Sequence, residues 1–123
     1  MCIRDRARVV AAAVVRRCGE LATASLCWEL PHKVGDEVVA ALVEGTLMTA
    51  YRYARPDQPF EANDDPGLVE LVVSAHHDVG ALAADAAVVA AAVNRARDLG
   101  NAPPNVMTPV ALAARGRPAR RAS

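Results

Sequence analysis

His76, His77 and Asp78 stand in a row, and two imidazoles beside a carboxylate can ligate a metal ion or relay a proton. They follow an alternating apolar run. Adjacent side chains leaving a strand point apart, so a mononuclear metal site there needs partners from elsewhere, and a solvent-exposed strand end is the preferred reading. A second set of acids, Asp57, Glu61, Asp64 and Asp65, lies in the stretch ARPDQPFEANDDPG from Ala54 to Gly67. The alternate-carboxylate spacing of a calcium loop and its closing glutamate are missing, so this stretch reads as a solvated loop carrying acids. Cys2, Cys18 and Cys27 form no C-x-x-C pair and are odd in number, which points to a reducing compartment and structural or incidental thiols. No glycine-rich phosphate loop occurs. The candidate catalytic, cofactor-binding and metal-binding residues of this chain therefore number none.

The elements that position these groups follow from periodicity. Ala7 to Leu21 repeats Val10, Ala13, Val14, Cys18 and Leu21 at helical spacing, predicting an amphipathic helix ending near Gly19. Thr23 to Leu30 alternates, with Ala24, Leu26, Trp28 and Leu30 on one face, and Pro31 ends that strand. Asp36, as N-cap, opens a helix to Tyr53 with a stripe of Val39, Leu42, Val43, Thr46, Leu47 and Ala50. Gly45 inside it costs roughly 1 kcal/mol against alanine and implies a close approach to a neighbouring backbone. Leu68 to Ala75 is a second strand, apolar on both faces through Val69, Leu71, Val73 and Ala75 against Leu68 and Val72, as a central strand covered on each side would be. An alanine-rich helix then runs from Val79 to Leu99. Helix, strand, helix, strand, helix is the α/β pattern.

Charge and hydropathy exclude several function classes. The 123 residues are formally neutral, but residues 1–6 and 115–123 hold six of the fourteen basic groups and one of the fourteen acids. Residues 7–114 thus carry eight basic and thirteen acidic groups, a net charge of −5. A nucleic-acid module needs clustered lysine and arginine on its folded body, which this body does not supply. The early VVAAAVV run is cut off by Arg16 and Arg17, unlike a secretion signal, and the run from Ala81 to Val93 is too short and too charged to cross a bilayer. A cytoplasmic protein with no membrane segment is expected.

The chain is organised around Asn94 to Pro109, NRARDLGNAPPNVMTP. Arg95 and Arg97 suit the negative end of the preceding helix, and Gly100 is placed to terminate it in the left-handed conformation. Pro103 and Pro104 forbid its continuation and suggest a stiff extended connector. Thr108 before Pro109 reads as an N-cap with proline at N1, starting a further helix. This run closely resembles the interdomain junction of the leucyl aminopeptidase (cytosol aminopeptidase) family, where N-x-A-R-D-L-x-N-x-P-x-N-x-x-x-P recurs. Upstream, Val43 to Tyr53, VEGTLMTAYRY, resembles the helix of that family that ends in a Tyr-Arg-aromatic group.

The resemblance implies an N-terminal α/β domain of macro-domain-like topology, with helices on a short sheet and a long linker helix to a catalytic domain. It also implies a cytoplasmic hexamer that removes N-terminal amino acids from peptides by two-metal hydrolysis, with manganese or zinc as the divalent ions. The family places its metal ligands, including an N-T-D-A-E-G-R motif, in the catalytic domain, and no such motif occurs here. Residues 7–100 are expected to be a partial N-terminal domain, and 101–114 the junction and start of the catalytic one. Residues 115–123, RGRPARRAS, read as a non-native basic tail from a frameshift or truncated gene prediction. Residues 1–6, MCIRDR, translate ATG-TGT-ATA-AGA-GAC-AG plus one base, which resembles a transposon end used in library preparation, so they read as an artefact. A native genomic reading frame through those codons would refute that expectation. Lost upstream strands would leave sheet edges open and solubility poor. The alternative is a non-catalytic module for nucleotide binding, DNA binding or oligomerisation.

Overall fold

A computed structural model describes residues 2–54 and 66–116. The acidic stretch weighed as a calcium loop, and most of the basic tail, lie outside the described residues. The order is α1 (Ile3–Glu20), β1 (Ser25–Glu29), α2 (Asp36–Thr49), β2 (Glu70–Ser74), α3 (Gly80–Asn101) and α4 (Pro109–Arg115). β1 and β2 pair in parallel with Ser25 opposite Glu70 and Glu29 opposite Ser74, and α2 is the crossover between them. This mixed arrangement agrees with the α/β expectation.

α2 is the central helix, packed on one side by α1 and on another by α3. It is buried almost all round from Ala41 to Thr46, so its core face is wider than the predicted stripe. Ala7, Ala11, Leu30, Val39, Ala41, Leu42 and Val79 form the apolar cluster, against which Trp28 and Val73 of the sheet pack. Trp28 donates its indole N–H to the Thr46 hydroxyl at 3.0 Å, and that hydroxyl donates in turn to the Leu42 carbonyl at 2.7 Å. That chain satisfies a tryptophan and a threonine inside an apolar layer.

α1 packs through a different face from the predicted one. Ala7, Ala11, Val15 and Cys18 are buried, whereas Val10 is 51% exposed and Leu21 60% exposed; of the predicted stripe only Cys18 is buried. The reason is Gly45. A Cβ there would lie 2.9 Å from the Ala11 methyl and 2.9 Å from the Arg8 Cα, so the close backbone approach anticipated for Gly45 occurs against α1. Only small residues fit at such a crossing, and apolar size selected the wrong valines.

Helix ends differ as well. α1 closes in a Schellman arrangement, with Thr23 N–H on the Cys18 carbonyl and Ala22 N–H on that of Gly19, and Ala22 takes the left-handed position at φ 50°. Gly19 remains in the helix. Gly35, not Asp36, is the N-cap of α2, and Asp36 sits in the first turn, where its charge still suits the helix dipole. α2 stops at Thr49 rather than Tyr53. α3 runs through Gly100 to Asn101 and ends because Ala102 precedes Pro103 and is held extended at ψ 132°. The connector then turns instead of extending, since the Pro103 carbonyl accepts both the Val106 and Met107 N–H groups at 2.9 Å.

β2 is not covered on both sides. Leu71 and Val73 face the helices, while Val72 is 44% exposed and, with its partner Cys27, lies on an open outer face. Two strands form the sheet among the described residues, so each has an unpaired edge.

Candidate functional site

Ligands of parallel α/β units bind outside the carboxyl ends of the strands. There the fold gathers all three histidines: His32 follows β1, and His76 and His77 follow β2. The His32 and His76 rings stack with centroids 3.5 Å apart and planes 15° from parallel. His77 Nε2 lies 3.5 Å from Asp36 Oδ1 at the start of α2. The partners from elsewhere that the His-His-Asp row needed are therefore supplied, but in two separate pairs. No group of three His, Cys, Asp or Glu side chains able to hold a metal ion exists among the described residues. Asp78, the third member of the row, accepts the Gly80 N–H at 2.8 Å in a turn just before α3, whose N-cap is Val79. Asp36 and Glu37 in the first turn of α2, and Asp78 just before α3, place carboxylates at this edge, which disfavours an anion at the helix N-termini.

The second concentration of polar groups lies where α2 ends against α3. The C-terminal carbonyls of a helix lack intrahelical partners, and α2 has no basic residue in its last turn to serve them. α3 provides the donors. Asn94 Nδ2 donates to the Leu47 carbonyl at 3.1 Å, and Arg97 Nη1 to that of Met48 at 2.6 Å. The Arg97 guanidinium also lies 4.3 Å from the centroid of the Tyr51 ring. Tyr51 donates its hydroxyl proton to Asp98 Oδ1 at 2.7 Å and accepts from Asn101 Nδ2 at 3.3 Å. Partial removal from water, then the Asp98 carboxylate, push the Tyr51 phenol above its ordinary value. Arg97 thus serves α2 rather than the end of its own helix, correcting the dipole expectation.

The lettered positions of the junction pattern have a physical meaning here. Asn94, Arg97, Asp98 and Asn101 are the α3 residues that grip α2 and Tyr51, Pro103 ends α3, and Pro109 starts α4 behind a Thr108 side chain that accepts the Ala111 N–H at 3.2 Å. Arg95 and Gly100, at unlettered positions, make no part of the clasp. An open cleft of about 530 Å³ lies beside it, bordered by Tyr51, Tyr53, Arg95 and Arg115.

One group escaped the sequence reading. Glu44 is buried in α2 and meets Arg8 of α1, which donates through Nε at 3.1 Å and through Nη2, while Arg4 Nη2 lies 3.6 Å from its other oxygen. The Glu44 carboxylate raises the Arg8 guanidinium above its already high ordinary value. An acid inside an apolar stretch, eight residues after Asp36, was the available signal; its partner on α1 was not inferable without the packing. Among the described residues no hydroxyl or thiol hydrogen-bonds an imidazole, so no nucleophile is paired with a base. The polar groups of these helices form ion pairs and satisfy helix ends.

No family model matches the chain, and no solved structure matches it. Curated relatives do. A protein of Roseiflexus castenholzii named "Probable cytosol aminopeptidase" is 35% identical over 120 residues, covering 92% of this chain and 25% of its own length. Proteins of the same name from Mycobacterium ulcerans and Mycobacterium marinum are each 36% identical, covering 92% of this chain and 22% of their own length. The chain spans about a quarter of the length of the curated relatives it matches.

Proposed function

We propose, on the premise that this chain is leucyl aminopeptidase family sequence over the 92% of its length that aligns, that it is a non-catalytic part of an enzyme releasing N-terminal amino acids from peptides. The single observation carrying this reading is the clasp of α3 on α2. Asn94, Arg97 and Asp98, which the chain shares with the family's junction pattern, are engaged in holding α2 and Tyr51, which supports a positional part for this stretch. The part played is that of an N-terminal domain and its linker, leading to chemistry located elsewhere in the enzyme.

The two divalent ions that the resemblance implies, manganese or zinc, take no ligand from the described residues. The donor set does not fit them, because His32 with His76 and His77 with Asp36 form separate pairs and Asp78 is committed to Gly80. A cytoplasmic location fits the relatives' printed names, and no helix among the described residues is long and apolar enough to cross a membrane. Assembly into a hexamer belongs to the same proposal.

The purified chain is expected to release no leucine from leucinamide with manganese or zinc added. Release that requires the metal and stops with a chelator would overturn the non-catalytic assignment. A chimaera in which this stretch replaces the aligned quarter of the Roseiflexus relative is expected to hydrolyse peptides. A folded chimaera without activity would remove the family role.

A further inference from the structure

α3 is held to the rest of the molecule in two different ways along its length. Its buried residues are Ala86 and Ala90, and from Ala91 to Asn101 none is buried. Beyond Ala90 its attachment is the polar clasp, in which Asn94 and Arg97 hold the Leu47 and Met48 carbonyls and Tyr51 holds Asp98 and Asn101. Hydrogen bonds at a partly wet surface yield little net stabilisation, because water competes for the same groups. Apolar burial along Val39 to Thr46 is far harder to open.

We infer that the clasp is a releasable latch. The α3 segment from Asn94 to Asn101, with the turn and α4 behind it, detaches from the end of α2 as a unit while α1, α2 and the sheet stay folded. The latch is reciprocal, since two of the side chains that hold α3, Asn94 and Arg97, also satisfy C-terminal carbonyls of α2. Opening it exposes those carbonyls to water and frees the direction in which the chain leaves Pro103. The device thereby sets the orientation of whatever follows α4, independently of whether that following part is a peptidase.

Amide hydrogen exchange on the whole chain tests this directly. Amides of residues 95–101 are expected to exchange at least tenfold faster than those of residues 42–46 in the unaltered protein. Tyr51→Phe and Arg97→Gln are each expected to speed exchange at 95–101 by about threefold to tenfold, with residues 42–46 unchanged. That range is the kinetic equivalent of losing one or two modest hydrogen bonds. Equal exchange of the two segments in the unaltered protein would overturn the latch. So would unchanged protection at 95–101 in the combined variant, or an equal loss of protection at 42–46. Tyr51→Phe removes a single oxygen, and the circular dichroism of its helices serves to separate release from global unfolding.

Discussion

Gly45 lies against the backbone of α1, and a methyl group there would meet backbone as well as side chain. Alanine normally improves a helix interior by about 1 kcal/mol. Here steric overlap at 2.9 Å from the Arg8 Cα wins, and Gly45→Ala is expected to destabilise the chain by about 1–3 kcal/mol in denaturant titration. Glu44 and Arg8 should respond unequally to removal of their partner. Arg8→Ala strands a buried carboxylate, helped only by Arg4 at 3.6 Å, and should cost about 2–4 kcal/mol. Glu44→Gln leaves a neutral amide and an arginine with 37% of its side chain exposed, able to turn to water, so it should cost about half as much. Tyr51 carries the pH dependence of the clasp. Its phenol is raised in the folded state, so its contribution is fully present below the ordinary tyrosine value and is lost as pH rises through the higher folded one. Ultraviolet difference absorbance should show one tyrosine ionising late, and Tyr51→Phe should remove that step.

Helices whose termination depends on local chemistry were partly readable from sequence, and those shaped by packing were not. Thr108 before Pro109 was sufficient to place the start of α4, because the capping hydroxyl accepts from an N–H only three residues away. Thr108→Ala is expected to lower the helicity of residues 109–115, at a cost of about 1 kcal/mol to that helix. Pro103 likewise ended α3, though through the extended Ala102 and not through Gly100. Ala22 was invisible as a terminator, since an alanine in the left-handed conformation is unfavourable and occurs only where the Schellman hydrogen bonds impose it. Ala22→Gly should therefore stabilise the chain by about 0.5–1 kcal/mol, measured as a shift in denaturation midpoint.

Across the whole molecule, one sheet face packs on the helices and the other is open at Cys27 and Val72. Among the described residues each strand has an unpaired edge, and these edges, with the apolar pair Cys27 and Val72 exposed among Ser25, Glu29, Glu70 and Ser74, favour association between copies. Concentration-dependent association in sedimentation, reduced by Val72→Lys, is the expected behaviour. The alternation of Leu68 to Ala75 could not reveal this, because covering of a strand's second face depends on elements elsewhere in the fold. The same dependence explains the rotated face of α1. Hydropathy ranks Val10 above Ala7 and Ala11, yet a crossing at glycine selects side chains by size.

The sequence by itself determined the element order, the inward face of β1, the need for close contact at Gly45 and the family, because these depend on periodicity and on local residue types. Only the tertiary structure decided which side of α1 is buried, that Glu44 has arginine partners, and that the histidines pair without forming a metal cage. It also decided the role of the junction residues. The donors Asn94 and Arg97 lie almost fifty residues from their acceptors on α2, and a hydrogen bond between separate helices is encoded by packing geometry rather than by spacing along one of them.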